Sequence, residues 1–481
     1  QEIKSLPSLG AEGDLVQYMQ VVPGVVSSGD QGGQLYIRGG TPVQNKVLLD
    51  GMVIYNPFHS IGLFSVFDTD ILKNTDVYTA GFGAQYGGRI SSVMDITTRD
   101  GNKKRIGGKV STGTFLSKVL LEGPIKKAKD ENDGTASFIF SVKNSYLDQT
   151  SKSIYKYASD DGLPYSFNDI YGKVVINSAS GSKVSFFGFN FLDKVNYSKV
   201  AKYDWSSSGG GMNFVLVPGA SKVLLRGNLA FSSYKIKLTE AEEKPRSSLV
   251  NGFNMGFNWL YFLNNDEINY GIEVQGFKTD FEYFNYAKRQ INQTENTTEI
   301  GIFFRYKKII NKLIIDPSVR LQYYASISEF SPEPRLGLKY NLSDNIRLKA
   351  AGGLYAQNLI AANSDRDVVN FFYGFLSAPD DLPSEFDGKS IKKKLQLARH
   401  AVVGIEYDIN KYFDINIEGY IKDFNQLTNI NRDKVYDDTA NNFDKPDSVK
   451  KSFIIEKGFT QGVDVVLKYE YRRMYAWLVY S

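Results

Sequence analysis

From about Gly107 onward, apolar and polar residues alternate along the chain in runs of β-strand length. In the run that begins at Phe413, the residues Ile415, Ile417 and Ile421 share one face, and the positions between them are mostly polar. Because successive side chains of a strand point to opposite faces, this alternation predicts strands with one apolar and one polar side. The chain contains roughly seventeen such runs, and the boundaries of each run are defined to within a few residues.

The connections between these runs alternate between short turns and long polar loops. Tight turns are expected at 344–345 and 410–411, whereas 361–394 forms a long loop. Short turns at one rim and long loops at the other are typical of outer-membrane barrels. The predicted fold class is therefore mainly β, with a large antiparallel transmembrane β-barrel over 106–481. Since bacterial barrels have an even number of strands, the odd count predicts that C-terminal strands are missing from this sequence.

The first 105 residues are rich in glycine and lack a sustained alternation. The pattern predicts a short helix within 14–20 and strands within 34–38 and 46–54. The dipeptide Asp50-Gly51 lies between two apolar runs and predicts a hairpin, because these residues accept the positive φ of a type I′ turn. Residues 1–105 are therefore expected to form a small α+β domain.

The amino-acid composition argues against several classes of function. The chain has 31 Tyr, 32 Phe and 43 Gly but no Cys and only two His, at positions 59 and 400. Aromatic and glycine enrichment suits a membrane barrel, and a formal net charge of +4 does not indicate a nucleic-acid partner. Without thiols, and with so few imidazoles, the common nucleophile, base and metal-ligand arrangements are lacking. The sequence therefore predicts no enzyme activity, no cofactor and no metal site.

Two segments of the first domain resemble the plug of TonB-dependent outer-membrane receptors. They are QLYIRGGTPVQNKVLLDGMVIYNPFH from Gln34 and VYTAGFGAQYGGRISSVMDITTRDGN from Val77. Barrel segments such as EPRLGLKYNLSDNIRLKAAGGLYAQN from Glu333 and GFTQGVDVVLKYEYRRMYAWLVYS from Gly458 also resemble this family. The resemblance is to the Bacteroidota branch, and the plug differs from the SusC-type subgroup before its Asp-Gly hairpin.

The resemblance implies a Gram-negative outer-membrane transporter of the 22-stranded type whose plug occupies the lumen, since so wide a barrel would leak unless filled. It implies import of a scarce or bulky nutrient, with outer-membrane lipid around the barrel and TonB with its inner-membrane motor as partners. No TonB box is visible, so we expect the coupling segment either upstream of Gln1 or absent. The alternative is a transport-inactive scaffold subunit of a larger membrane complex, and a surface lipoprotein or other outer-membrane subunits stay open as partners.

The resemblance further implies that plug arginines pair with acidic residues of the barrel wall. The candidate anchoring residues are Arg38, Gly39, Gly40, Asp50, Gly51, Gly87, Gly88 and Arg89. Glycines beside an arginine permit close backbone approach, and a buried guanidinium needs partners because it keeps its charge. We therefore expect Arg38 and Arg89 to be buried and bonded to carboxylates, with an ion pair inside the plug as the alternative. The candidate partners on the polar strand faces are Glu406, Asp414, Glu418 and Asp464.

Four residues follow the predicted hairpin and are candidates for the substrate-facing apex of the plug. They are Tyr55, Asn56, Phe58 and His59. Packing of the aromatic side chains into a core is an equally good interpretation of the same residues.

Overall fold

The amino-terminal part of the chain and the remainder form two kinds of β-structure in the computed structural model. The structure describes residues 13–27, 34–59, 62, 64–130, 133–154, 156, 162–197, 200–219, 221–240, 244–284, 290–361, 372, 374–472 and 474–481. No helix among these residues is long and apolar enough to cross a membrane.

The amino-terminal domain combines one short helix with short strands. Its elements are α1 Leu15–Met19, β1 Val25–Ser27, β2 Leu35–Ile37, β3 Asn45–Leu49, β4 Met52–Val53, β5 Leu72–Tyr78 and β6 Ser92–Thr98, with a 3-10 turn at Pro42–Gln44. Strands β1 and β2 pair with each other, and the other four form a sheet in the order β4-β3-β6-β5. Strands β3 and β6 are parallel, whereas the remaining pairs are antiparallel. The domain is therefore of the α+β type, as predicted.

The hairpin between β3 and β4 has the geometry predicted from its dipeptide. Asp50 has φ of 50° and Gly51 has φ of 84°, and Leu49 pairs with Met52 across the turn. Two consecutive positive φ values are what a type I′ turn requires. The predicted short helix within 14–20 is also present, as α1.

Within the described residues, seventeen strands form one closed barrel. They are β7 Gly107–Thr112, β8 Leu116–Lys126, β9 Thr135–Ser145, β10 Tyr165–Asn177, β11 Lys183–Tyr197, β12 Ala201–Leu216, β13 Val223–Glu240, β14 Arg246–Leu263, β15 Asp266–Phe284, β16 Gln290–Ile310, β17 Leu313–Tyr324, β18 Glu329–Asn341, β19 Ile346–Gln357, β24 Gln396–Asn410, β25 Phe413–Ile430, β26 Phe453–Tyr471 and β27 Met474–Tyr480. Strands that follow one another pair antiparallel, which confirms the predicted antiparallel barrel, but the sheet closes with these seventeen strands, whereas the resemblance implied a 22-stranded type.

The connections fall on two rims, as the turn pattern predicted. The turns after β18 and β24, at 344–345 and 410–411, lie at the rim opposite the long connection between β19 and β24. The long-loop rim carries the small elements α2 Leu147–Ile154, β20 Ile360–Ala361, β21 Phe375–Leu376, β22 Glu385–Phe386, β23 Lys389–Ser390 and α3 Asp447–Lys450, together with 3-10 turns at Ala325–Ile327 and Ala440–Asn442. The two rims are called the short-turn rim and the long-loop rim below.

Side chains alternate between the outside of the barrel and its lumen. On β25 the outward residues Ile417 and Ile421 are 36% and 45% exposed, whereas Lys422 faces the lumen and is fully buried. The lumen is filled by the amino-terminal domain, called the plug below. It approaches the wall so closely that a Cβ added at Gly209 of β12 would lie 2.8 Å from the Sδ of Met52 in the plug.

Because the chain contains no cysteine, single introduced thiols can report which rim faces the outside of the cell. We expect Asp444→Cys, in the long connection before β26, to react with a membrane-impermeant maleimide on intact cells. Ser180→Cys, in the turn between β10 and β11, should react only after lysis, because short turns of such barrels face the periplasm. Equal labelling of both variants on intact cells would contradict this orientation.

Candidate functional site at the plug–barrel interface

Arg38 lies buried in the lumen and is bonded to two carboxylates of the barrel wall. Its Nε donates to Oδ2 of Asp464 at 2.9 Å, and its Nη2 donates to the same oxygen and to Oε2 of Glu418, each at 2.6 Å. The guanidinium carbon also lies 4.5 Å from the ring centroid of Tyr420. Since Glu418 and Asp464 face each other on β25 and β26, Arg38 joins the plug to two neighbouring strands.

Glycines beside Arg38 let the plug backbone lie against its neighbours. Gly39 has φ of 75°, and a Cβ added there would lie 2.8 Å from the Cβ of Thr460 on β26. A Cβ at Gly40 would lie 1.9 Å from the Oγ of Ser91 inside the plug. Both positions therefore require glycine if the arginine is to reach the wall.

Arg89 is buried as predicted, but the predicted bond to a carboxylate is wrong. Its Nη1 donates to the carbonyl oxygen of Gly88 at 2.7 Å, and its Nε has no hydrogen-bond partner among the residues that the structure describes. Across the described part of the chain no carboxylate forms an ion pair with it, although Glu299 on β16 attracts it electrostatically at longer range. The physical reason is that the guanidinium turns back to its own backbone.

The carboxylate of Glu273 on β15 is instead bonded to two other cations. Nζ of Lys46 in the plug and Nη2 of Arg320 on β17 donate to its two oxygens at 3.0 and 2.6 Å. Lys46 also donates to the carbonyl oxygen of Gly87 at 3.0 Å. Burial lowers the pKa of Lys46, and the attraction of Glu273 offsets part of that effect. A Cβ at Gly87 would lie 2.1 Å from Nε of Arg320, so this glycine makes room for the ion pair.

Barrel-wall cations bind backbone carbonyl oxygens of the plug segment 81–91. Nη1 of Arg335 on β18 donates to the carbonyl oxygens of Phe82, Gly83 and Tyr86 at 3.2, 2.6 and 2.7 Å. Nη1 of Arg320 donates to the carbonyl oxygen of Ala84 at 3.3 Å. The segment therefore lies along a row of donors that belong to the barrel.

Two further wall residues continue this row on the far side of Arg89. Nε2 of His400 on β24 lies 2.9 Å from the carbonyl oxygen of Ile90. Nζ of Lys422 on β25 donates to the carbonyl oxygens of Ser91 and Ile37, at 3.1 and 3.0 Å. Both wall side chains are buried, so their hydrogen bonds to the plug satisfy groups that water cannot reach.

The hairpin tip is held through both its side chain and its backbone. The carboxylate of Asp50 accepts a hydrogen bond from the hydroxyl of Tyr171 at 2.8 Å and forms an ion pair with Lys173 at 3.4 Å. The carbonyl oxygen of Gly51 accepts from Nδ2 of Asn254 at 2.6 Å. With Asn213 and Asn228, which donate to the carbonyl oxygens of Asp50 and Gly51, five barrel residues bind the turn that the sequence predicted as an anchor.

The four candidate apex residues lie inside the molecule. Tyr55, Phe58 and His59 are buried and Asn56 is half-buried, with its Oδ1 accepting from the backbone N–H of Phe58 at 3.2 Å. Burial raises the pKa of Tyr55 to about 12, so its hydroxyl is neutral. The side chains are therefore packed, as in the core-packing interpretation.

His59 is bonded to two aspartates of the barrel wall. Its Nε2 lies 2.8 Å from Oδ2 of Asp169, its Nδ1 lies 3.3 Å from Oδ2 of Asp193, and its ring stacks on Phe167 with centroids 3.8 Å apart. Lys143 shares Asp169 at 3.0 Å. Burial by itself lowers the pKa of His59, but the charge of Asp169 and the hydrogen bonds to both aspartates raise it above the ordinary value of 6.5.

An aromatic layer covers the apex on the side of the long-loop rim. Phe375 of β21 contacts Tyr55 edge-on at a centroid distance of 5.4 Å and Tyr234 of β13 at 5.6 Å. The backbone N–H of Phe375 donates to Oγ of Ser248 at 2.9 Å, and Oγ of Ser377 lies 2.9 Å from Oγ1 of Thr279. The connection between β19 and β24 is therefore bonded to the inner wall above the plug.

Comparison with known proteins shows which folds this architecture resembles. Residues 6–93 match the family model described as the TonB-dependent Receptor Plug Domain. The siderophore receptor PirA from Pseudomonas aeruginosa is similar at a TM-score of 0.66 and 12% identity, covering 97% of this chain and 79% of that chain. The FrpB iron transporter from Neisseria meningitidis is similar at a TM-score of 0.68 and 12% identity, and the match covers 98% of this chain and 76% of that chain. The ferric citrate transporter FecA is similar at a TM-score of 0.61 and 13% identity, and the match covers 95% of this chain and 72% of that chain. No curated protein matches the sequence.

The amino-terminal domain is thus similar to the plug of TonB-dependent receptors, and the chain shares the fold of solved outer-membrane receptors and transporters. At 11–13% identity these solved structures show the fold of this chain and not its ligand. Over the part of the chain that the structure describes, no cluster of three or more His, Cys, Asp or Glu side chains is arranged to hold a metal ion.

Sequence reasoning found the acidic partners of Arg38 but missed the basic residues of the barrel wall. Of the candidate carboxylates, Glu418 and Asp464 bind Arg38, whereas Glu406 pairs with Arg347 of the neighbouring strand at 2.8 Å and Asp414 is not a partner of Arg38. The missed residues are Arg320, Arg335, His400 and Lys422. They occupy the polar faces of alternating strands, and that position is the signal that would have identified them.

Removing Arg38 should loosen the plug more than removing an exposed cation does. Arg38→Ala leaves the buried Asp464 without its partner, and such a loss typically costs about 3–5 kcal/mol. Lys103→Ala, an exposed change of the same kind, should have little effect, and Arg89→Ala should cost less than Arg38→Ala because Arg89 has no carboxylate partner. Hydrogen exchange of the plug in the three variants measures this, and equal protection in Arg38→Ala and Lys103→Ala would contradict it.

The His59 cluster predicts that the plug is held less firmly at high pH. Because the folded-state pKa is raised, the contribution of His59 to stability is complete below about pH 6.5 and is lost as pH rises through the folded-state value. We expect plug hydrogen exchange, corrected for the intrinsic rate, to show weaker protection at pH 9 than at pH 6. His59→Gln should remove most of this difference, and an unchanged pH dependence in that variant would exclude His59 as its source.

Proposed function

We propose that this receptor imports a scarce or bulky nutrient through the lumen of its barrel, by an energy-coupled movement of the plug. The observation that carries the proposal is the set of hydrogen bonds and ion pairs by which wall side chains bind plug carbonyl oxygens and charged groups, beside apolar contacts such as that of Phe67 with Phe191. The similar folds of a siderophore receptor, an iron transporter and a ferric citrate transporter support it.

A polar interface suits a plug that must move. Hydrogen bonds and ion pairs can be exchanged for bonds to water when the lumen opens, so each net contribution is small, about 0.5–1.5 kcal/mol for a neutral hydrogen bond. The contacts of Arg335 and Lys422 have charged donors and contribute more, about 1.5–3 kcal/mol each, but they too can be exchanged for bonds to water. An interlocked apolar interface of the same area would expose its surface to water at every cycle, which is far more costly.

The packed aromatic layer represents, in this proposal, the resting receptor before a ligand binds. Phe375 and Tyr234 cover Tyr55, so a ligand that enters from outside displaces the connection between β19 and β24 before it meets the apex. Tyr55, Asn56, Phe58 and His59 then become the first plug residues in its path. TonB and its inner-membrane motor supply the force that moves the plug, and Arg38 with the surrounding glycines anchors it until then.

The second candidate function is a transport-inactive scaffold that keeps the receptor fold inside a larger membrane complex. The observation that favours it is the same closed apex, because Phe375 and Ser377 are bonded to the wall on the side from which a ligand would arrive. Other outer-membrane subunits or a surface lipoprotein would be the partners of such a scaffold. Uptake experiments distinguish the two candidates.

A disulfide between the plug and the wall should stop import if the plug has to move. A Cβ at Gly51 would lie 3.4 Å from the Cβ of Asn228 on β13, close to the ~3.8 Å that a disulfide spans. We expect cells that carry only the Gly51→Cys/Asn228→Cys receptor to lose uptake when oxidised and to regain it on reduction. Uptake is followed with iron chelates, cobalamin, glycans and peptides, on which the deletion strain is first profiled.

The two single-cysteine variants are the matched controls, because each carries one substitution and neither can close the bridge. They should transport equally under both conditions. A deletion strain with normal uptake of every class would favour the scaffold. Uptake that continues through the oxidised double variant would contradict the requirement that the plug moves.

A further inference from the structure

The outer surface of the barrel changes from apolar to polar along one row of side chains on β13 to β16. Phe231, Phe253 and Gly276 are cross-strand neighbours on the outer face of β13, β14 and β15. The next outward row toward the long-loop rim consists of Ser233, Asn251, Lys278 and Asn296, again paired from strand to strand. The boundary between these rows is the upper edge of the apolar belt on this side of the barrel.

A cleft of about 580 Å³ lies on the outside of the wall at this boundary. Its apolar part is the surface around Gly276, where a Cβ would lie 2.5 Å from Cε1 of Phe253, so the phenyl ring leans over the glycine. The ring of Phe231 follows at a centroid distance of 6.2 Å from that of Phe253. Together these three residues form an apolar furrow that opens toward the surrounding lipid, called the furrow below.

Lys278 stands at the polar end of the furrow, and Asp280 and Glu282 follow it on the same face of β15. Its side chain is exposed, and among the residues that the structure describes it forms no ion pair. Its cross-strand neighbours, Asn251 and Asn296, are neutral and supply amide donors. Asp280, two residues along β15, accepts a hydrogen bond from Thr294 at 3.2 Å. The site therefore presents one free ammonium group between two amides, directly above an apolar surface.

More lysines extend this basic surface toward the long-loop rim. Lys194, Lys235 and Lys237 are exposed on the outer faces of β11 and β13, and none of them has an ion pair within the described ranges. Asp204 of β12 faces both Lys194 and Lys237 across its strand pairs, and it lies 3.7 Å from Lys202. These outer faces carry five lysines (Lys194, Lys202, Lys235, Lys237 and Lys278) against Asp204, Asp280 and Glu282, so this part of the surface has a net positive charge.

We infer that the cleft binds an anionic lipid of the outer leaflet, with its phosphate on Lys278 and one acyl chain in the furrow. The position of the cleft along the barrel axis fits a lipid, because a lipid there would have its charged and apolar parts on either side of the boundary that the two rows define. The charge fits, because a phosphate accepts hydrogen bonds from an ammonium group and from the amides of Asn251 and Asn296. Lys235 and Lys237 attract further acidic groups of the same headgroup. The inference does not depend on whether the receptor transports.

The test is a lipid titration of the purified full chain in neutral detergent, read by native mass spectrometry. Phosphatidylglycerol and phosphatidylcholine with identical acyl chains are the two probes. We expect Lys278→Gln to weaken phosphatidylglycerol binding about fivefold, as the loss of one lysine at a membrane surface does, and to leave phosphatidylcholine binding unchanged. Lys278→Arg should keep the preference. Lys389→Gln, the same change on the exposed hairpin of β22 and β23, is the matched control and should have no effect.

Two further measurements distinguish a lipid site from a simple anion site. Phe253→Ala should weaken the binding of both lipids, because it removes a wall of the furrow and no charge. Inorganic phosphate at the concentration of the lipid should not displace phosphatidylglycerol, and complete displacement would assign the site to free phosphate and overturn the inference. Binding that is unchanged in Lys278→Gln, or that falls equally in Lys389→Gln, would also overturn it.

Discussion

Polar side chains that face the lumen of this barrel need hydrogen-bond or ionic partners, because the lumen holds no bulk water. Alternating strands place Arg320, Arg335 and Lys422 inside the barrel, where a charge without partners costs several kcal/mol. The plug supplies those partners as backbone carbonyl oxygens, and the barrel in turn supplies carboxylates for Arg38. Wall and plug therefore satisfy each other's buried polar groups, and each would leave the other with unpaired charges if it were removed.

Two layers of different chemistry result along the barrel axis. The middle of the lumen combines ion pairs and hydrogen bonds around Glu273 and Asp464 with an apolar cluster in which Phe67 of the plug contacts Phe191 of the wall. The layer nearer the long-loop rim is aromatic, built on Tyr55, Tyr234 and Phe375. The first layer holds the plug in register with the wall, and the second excludes water from above. His59 lies where the layers meet, stacked on an aromatic ring and bonded to two carboxylates.

Local rules in the sequence predicted much of the fold, because strand alternation, turn chemistry and the Asp50-Gly51 hairpin depend only on near neighbours. The bond between Arg38 and Asp464 could also be predicted, since the charge of each residue and the strand face of Asp464 follow from the sequence. The contact of Arg89 could not be predicted, because whether a guanidinium turns to a carboxylate or to its own backbone depends on geometry set by residues far apart in the chain. The covering of Tyr55 by Phe375 depends on the path of a long connection, which follows no local rule.

The carbonyl contacts of segment 81–91 have a consequence for mutation and divergence. Arg335 and His400 bind main-chain oxygens, which every residue type possesses, so the side chains of this segment can change over generations without loss of the attachment. The exceptions are positions such as Gly87, where an added Cβ would meet a wall side chain at 2.1 Å. Most substitutions in this plug segment therefore leave its attachment intact, because the attachment is to the peptide backbone. The wall residues that provide the donors are far less free to change.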